Sequence, residues 1–448
     1  MSFLASRVAA ASVRALGSTL IVGCWLQHEK DRHARCETIS QSPASSLEHT
    51  MQTIAGNPTY EAPNGKKTDN LFYNDGDSFP NLSRHGSNSL LKKYLTPDVY
   101  EQLKDKQTSA GVKLEDLIQG GIALPWGARP PRGIAGVYAG DAESYTTFSV
   151  LLSPLIEAHH KALHRARLRR HRTNLDVQGL SQRRLDGAYI LYTRMRLARS
   201  LNGFKFAPCI GRSERRAVER LLRDCSRDWP QGSYISLMEM SNNQHEDLVK
   251  RQLLFADPDE FAISTGMGRD WPDGRGIYCD SWDDLPHIMM WVNAQDHLWI
   301  ISNAKGGDVQ GVFTRLSMAV RSLEKSLNDR GQSFVEDPNL GFLNASPVDI
   351  GTALRASLYV KLVRLGQKPG FDELVRRLRL EARPLKFQSQ TYTGMFDIAN
   401  LEALGKTEVD LINLMIEGVG TLIDLEKRLE NGEDIDIEAI AQKKGSRK

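Results

Sequence analysis

The chain has 448 residues, of which 40% are hydrophobic and 25% charged, enough apolar material for about two or three globular domains with sizeable cores. A formal net charge of +3 supplies no global field for nucleic acid, which is not expected as a partner. The five cysteines, Cys24, Cys36, Cys209, Cys225 and Cys279, form no CxxC pair and no ligand spacing with histidine, so neither a disulfide scaffold nor a bound metal is expected.

Residues 1–26 carry Arg7 and Arg14, no acid, and Ser and Ala between them, the composition of a mitochondrial transit peptide. Residues 1–36 are therefore expected to target the protein to the mitochondrion, placing it at the inner membrane or in the intermembrane space. The alternative is a retained membrane anchor, although the apolar run from Ala15 to Leu26 is too short to cross about 30 Å of hydrocarbon unless it extends past Arg14. Residues 37–84 are rich in Ser, Asn, Gly and Pro without apolar periodicity and read as a flexible linker.

Order is expected from near Leu95, where Thr96 can cap a helix with Pro97 in its first turn and Val99, Tyr100 and Leu103 supply an apolar face. A helical domain would fill residues 85–175. Its end, HHKALHRARLRRHRTN, gathers Lys161, Arg165, Arg167, Arg169, Arg170 and Arg172. That run reads as a solvated link between domains; the sharper alternative is a docking site for anionic lipid or an acidic protein face.

Residues 176–440 mix strand-like runs (AYILYTRMRLA, HIMMWVN, LWIIS, SLYVKLV) with marked helices, which makes an α+β domain. One helix starts near Ser213 with Val218, Leu221 and Leu222 on one face. Another carries Phe313, Leu316, Val320, Leu323 and Leu327 and stops at Gly331. A last one starts at Thr407, with Asp410 three residues on as a capping box. The stretch WVNAQDHLWIIS, residues 291–302, reads as a strand in which alternation puts Trp291, Gln295 and Trp299 on one face. Residues 441–448 form a basic tail with Lys443, Lys444, Arg447 and Lys448, a second candidate contact for anionic lipid.

Four strings occur together and in order: GMGRDWPDGRGIY (266–278), WVNxxDHLxxIS (291–302), LGF...SPxxIGTALRAS (340–357) and GMFDIANLEALGKTEV (394–409). With these the chain resembles the phosphagen (guanidino) kinases, and within them the mitochondrial creatine kinases, whose likeness runs from about Leu95 to Ile437. The resemblance implies a small all-α amino-terminal domain and a carboxy-terminal domain with an antiparallel β-sheet flanked by helices. It also implies a cleft for magnesium-bound ATP or ADP, and a tendency to form homo-oligomers. It further implies a phosphate clamp of Arg194 and Arg196 in TRMR, Arg355 in GTALRAS and Arg383 in RLEARP, with Asp397 and Asn400 in FDIAN. Arginine suits that task because its planar fork of donors stays charged.

The same resemblance marks departures. The family pattern WVNEEDHxRxIS has two glutamates and an arginine where this chain has Ala294, Gln295 and Trp299. The cysteine of its CP[ST]N motif is Ser346 and the asparagine is Asp349. The glycine-rich RGTGG loop is Arg383-Pro384-Leu385-Lys386-Phe387, and Pro384 has no N–H for a phosphate. Histidines bordering the adenine appear as Gln252 and Tyr359, and the loop that selects the guanidino acceptor, about residues 120–140, is long and Pro-rich. Gln295 is neutral and can neither take a proton near pH 7 nor balance a guanidinium, and general-base help alone is worth roughly 10²–10⁴ in rate. Asp296 and His297 match the family but read as a structural pair. The expectation is a mitochondrial pseudoenzyme acting as an accessory subunit of a protein assembly, with a working guanidino kinase or an ATP/ADP sensor as alternatives. Trp299 is expected to pack across the phosphate subsite near Arg194, Arg196 and Arg355.

Overall fold

The structure, a computed structural model, describes residues 79–82, 89–122, 135–160, 170–251, 253–282, 285–385 and 393–444. The expected targeting segment, nearly all of the linker, Lys161 to Arg169 of the basic run, Gln252, Lys386, Phe387 and residues 445–448 lie outside the described residues.

The amino-terminal part is helical: α1 (Leu90–Tyr94), α2 (Pro97–Leu103), α3 (Leu114–Ile122), α4 (Ser144–Thr147) and α5 (Ser149–His159). Thr96 caps α2 as its sequence implies, accepting from the Val99 N–H at 3.3 Å. Order begins earlier than Leu95, because Ser89 caps α1 through the Lys92 N–H and Leu82 is buried in the same small core as Leu91. Phe79 also meets Tyr100 edge-on at 5.7 Å. These residues are held by packing against α1 and α2, a tertiary cause that local composition does not reveal.

The rest of the described chain builds on β1 (Ile190–Arg199), α6 (Arg212–Ser226), β2 (Ser233–Ser236), α7 (Asn242–Lys250), α8 (Glu260–Ser264), β3 (Gly276–Cys279), β4 (Ile288–Val292) and β5 (Leu298–Lys305). It continues through α9 (Val309–Asn328), β6 (Glu336–Asp337), β7 (Gly341–Phe342), β8 (Leu354–Lys361), α10 (Phe371–Arg377), β9 (Leu380–Pro384), β10 (Met395–Asn400), α11 (Glu408–Glu430) and α12 (Ile437–Lys444). Eight strands make one sheet in the order β2-β3-β4-β5-β1-β8-β10-β9, with every neighbouring pair antiparallel.

Alternation along the strands gives this sheet two unlike faces. Met195, Leu197, Leu298, Ile300, Leu358 and Ile398 point to one of them and join the main core with Val218 and Leu222 of α6, Phe313 and Leu316 of α9, and Ile412 and Met415 of α11. The opposite face carries Arg194, Arg196 and Arg355 beside a second apolar cluster containing Trp291, Trp299, Met289 and Ile301. All three long helices therefore cover one side and leave the other for the site.

Two expectations need correction. The stretch from Trp291 to Ser302 is not one strand but β4, a turn and β5, which pair so that Trp291 stands opposite Trp299. The turn forms because Asn293 adopts a left-handed φ of 53°. Its side-chain amide donates to the carbonyls of Arg215 and Gly274, and its N–H donates to His297 O at 2.9 Å. Gln295 therefore lies in the turn rather than on the strand face between the two tryptophans. The second correction concerns the end of the chain, where the helix from Thr407 is not the last: α12 follows it and takes in residues 441–444 of the expected tail. Ile437 is buried in the main core, and Gly370, at φ 84°, lets the backbone of Glu438 approach so closely that an added Cβ would lie 3.2 Å from its Cα.

Candidate functional site

Strand register assembles the site from distant segments. In β1, Arg194 pairs with Ser357 and Arg196 with Arg355, while Ala198 pairs with Trp299. In β10, Asp397 pairs with Arg383 of β9. Paired side chains share a face, so the four arginines named in the sequence and Trp299 all stand on the open side of the sheet.

Each guanidinium has company there. Arg196 lies over the Trp299 ring at 3.7 Å from its centroid, and Arg194 over the Trp291 ring at 5.6 Å. The two indoles stack, with centroids 5.7 Å apart and planes 21° apart. Cation–π contact of this kind is worth about 0.5–2 kcal/mol, more where water is excluded. Burial pulls the Arg196 guanidinium down to about 10, with Asp349 opposing and Arg355 and Arg194 adding to the fall; it remains a cation at neutral pH.

Arg355 and Arg383 meet carboxylates instead. Glu381 Oε1 accepts from Arg355 Nη1 at 2.8 Å and lies 3.0 Å from Arg383 Nη2. Asp397 Oδ2 accepts from Arg355 Nη2 at 3.1 Å. Burial by itself would lower the Arg355 pKa, but Asp397 and Glu381 outweigh it and hold the guanidinium above its ordinary value. Asn400 faces the other way and is structural: it accepts from Ala356 N–H and donates to the carbonyls of Leu354 and Glu402.

At the far end of the arginine row, Tyr359 pairs with Tyr192, ring centroids 5.4 Å apart. Leu385 and Met395 complete a small buried cluster with them. Leu385 is fixed by its N–H to Met395 O at 2.9 Å, so Pro384 and Leu385 stay alongside β10.

The hairpin turn brings the remaining candidates together. Ala294 packs on the apolar cluster around Trp291 and Trp299, and Gln295 is half-buried beside it. Asp296 is fully buried and committed, accepting from Trp299 Nε1–H at 2.9 Å and from Ala345 N–H at 3.3 Å. Burial, then the charge of Asp349, raises its carboxyl to about 6. His297 accepts from Leu201 N–H at Nδ1 and donates from Nε2 to Lys205 O at 2.8 Å. With both nitrogens used, it is a neutral strut, and burial lowers its pKa to about 4.

Ser346 is 2% exposed, in a loop clasped by the helical domain. Ala139 N–H donates to Ala345 O, the Tyr145 hydroxyl donates to Asn344 O at 2.7 Å, and His160 Nε2 lies 3.2 Å from Pro347 O. Among the described residues no base is hydrogen-bonded to this enclosed hydroxyl, and a serine is a weak nucleophile unless a base activates it.

Fold and site together define a phosphotransferase architecture: a helical domain set against an antiparallel sheet whose open face carries a row of arginines. Family models agree, "ATP:guanido phosphotransferase, C-terminal catalytic domain" over residues 214–429 and "ATP:guanido phosphotransferase, N-terminal domain" over residues 85–157. The M-type creatine kinase of Oryctolagus cuniculus is 36% identical over 380 residues, covering 83% of this chain and 97% of its own. The arginine kinase of Stichopus japonicus is 36% identical over 366 residues, covering 80% and 95%. Among solved structures, lombricine kinase superposes with a TM-score of 0.73 at 31% identity, covering 82% of this chain and 99% of its own. The duplicated taurocyamine kinase of Schistosoma mansoni with bound transition-state-analogue components does so at 0.69 and 30%, covering 78% and 48%. The chain belongs to the ATP:guanidino phosphotransferase, or phosphagen kinase, family.

The structure brings Arg194, Arg196, Arg355, Arg383, Asp397 and Trp299 onto one face and gathers Ala294, Gln295 and Ser346 at the turn and loop beside it. Of the three arginines expected beside Trp299, Arg196 lies over its ring, Arg194 lies over its stacked partner Trp291, and Arg355 turns to its carboxylates. Sequence reading missed Glu381. The signal was present, since an acid two residues before Arg383 on a strand must share its face.

Proposed function

We propose that this chain is a phosphagen-kinase-like pseudoenzyme with a scaffolding or accessory role. The observation that carries the reading is the hairpin turn. Where a guanidino acceptor would need a carboxylate to align and deprotonate it, the chain presents Ala294 and Gln295, and the adjoining Asp296 is spent on Trp299 and Ala345. Positioning and acid–base help are most of what phosphoryl transfer asks of a protein. The donor side supports the same reading. Magnesium-bound ATP would need the donors of Arg355 and Arg383, which Glu381 and Asp397 engage, so the residues present fit a triphosphate poorly.

The composition of residues 1–36 supports a mitochondrial location, and with it an assembly at the inner membrane or in the intermembrane space as the partner. Homo-oligomers and contact of the basic segments with anionic lipid belong to the same proposal. The test is an assay of transfer between ATP and creatine, arginine or other guanidines. Background rates are expected, and turnover within tenfold of about 10 s⁻¹, a usual enzyme value, overturns the reading. Micromolar ATP binding without turnover would favour a nucleotide sensor. Isolation of the native protein with its bound partners from mitochondria tests the accessory role; a monomer without partners counts against it.

A further inference from the structure

We infer that Glu381 is a built-in anion that occupies the phosphate-binding arginines, so that a polyphosphate site persists in this chain but is closed from within. The inference rests on reading Arg355 and Arg383 as a phosphate clamp.

Glu381 is 8% exposed, and a carboxylate is seldom buried without a cation to hold it. One oxygen, Oε1, reaches both guanidinium groups, at 2.8 Å from Arg355 Nη1 and 3.0 Å from Arg383 Nη2. It therefore does at two arginines what a phosphate oxygen would do, with charge-assisted bonds of the same kind. Asp397 differs. It engages Arg355 alone, and its buried Oδ1 has no hydrogen-bond partner among the described residues.

Strand geometry makes the arrangement persistent. Glu381 and Arg383 lie two apart on β9, and Ala399 of β10 stands between Glu381 and Ser357 of β8. The carboxylate is thus delivered by the sheet rather than by a mobile loop, at an effective concentration that a dissolved anion must exceed. Arg355 and Arg383 carry two positive charges, Glu381 and Asp397 two negative ones, so these four groups sum to zero. With Glu381 made neutral the sum becomes +1, while Asp397 still holds Arg355 in place.

The experiment is calorimetric titration of the full chain and its Glu381→Gln variant with inorganic tripolyphosphate, which carries the charge of a nucleotide tail without base or guanidine. The variant is expected to bind about tenfold or more tightly than the parent, the equivalent of about 1.4 kcal/mol. An affinity within about twofold of the parent in a variant that melts normally overturns the inference. Arg383→Lys supplies an independent reading should E381Q not fold, because lysine keeps the charge of the four groups and leaves Glu381 between two cations while removing the planar fork that would grip a phosphate. Tripolyphosphate affinity unchanged from the parent is expected, and a loss of about tenfold would show that Arg383 was open to phosphate all along. Turnover by the parent would overturn the proposed pseudoenzyme and the closed site together, whereas background turnover with E381Q and parent affinities within about twofold would overturn the role of Glu381 alone.

Discussion

The Arg196 guanidinium rests 3.7 Å from the centre of the Trp299 ring, while the indole N–H of that ring donates to the buried carboxylate of Asp296 at 2.9 Å. One side chain thus joins a cation of the arginine row to an acid of the hairpin turn. The link ties the two halves of the site into one packed unit.

Trp299→Phe keeps an aromatic ring but removes the donor together with part of the indole's buried surface. Asp296 then loses a partner while still buried, a change that costs about 1–3 kcal/mol. Denaturant unfolding should show this loss with the folded spectrum preserved. A difference below about 0.5 kcal/mol, ordinary for an inconsequential substitution, would mean that water replaces the indole.

Asp296 also makes a signed pH prediction. Its carboxyl is raised from 3.8 to about 6, so the folded state holds the proton more tightly than the unfolded one. This contribution is most favourable at low pH and is lost as pH rises through about 6. His160 and His297, lowered by burial to about 3 and about 4, act in the opposite sense and cost stability as pH falls below 6.5. The total profile therefore blurs the three, but the difference between the parent and Asp296→Asn isolates the acid. From pH 7 to pH 4.5 the parent should gain stability relative to the variant, and a flat difference would refute the assignment.

On the proposed pseudoenzyme reading, carboxylates placed at the turn should not by themselves raise transfer above background. Ala294→Glu combined with Gln295→Glu supplies acids at the turn but leaves Trp299 on Arg196 and Glu381 on Arg355 and Arg383. Transfer from ATP to creatine or arginine is expected to stay at background in a coupled assay. A rise of roughly 10²-fold, the scale of general-base help, would show that the phosphate side was competent throughout.

The cap of α11 offers a purely structural prediction. Thr407 Oγ1 accepts from Asp410 N–H at 3.2 Å, and Asp410 Oδ2 accepts from Thr407 N–H at 3.1 Å. Thr407→Ala should lower stability by about 1 kcal/mol in thermal or chemical unfolding, without altering any binding at the distant arginines.

What the sequence determined by itself was whatever depends on near neighbours along the chain. The caps at Thr96 and Thr407, the apolar stripe of α9 and the strands carrying TRMR and SLYVKL follow from side-chain spacing and from hydrogen bonds within a few residues. The family motifs likewise located the four arginines, Trp299, Ala294, Gln295 and Ser346. Tertiary structure decided the rest. The turn between Trp291 and Trp299 depends on Asn293 reaching the carbonyls of Arg215 and Gly274, residues remote in sequence. Ser346 is sealed because Ala139, Tyr145 and His160 of the helical domain close over its loop. Glu381 became the partner of both Arg355 and Arg383 only when β8, β10 and β9 were set in register. Alternation along a strand shows which side chains share a face, but which strands lie side by side, and with what offset, is settled by packing across the whole sheet.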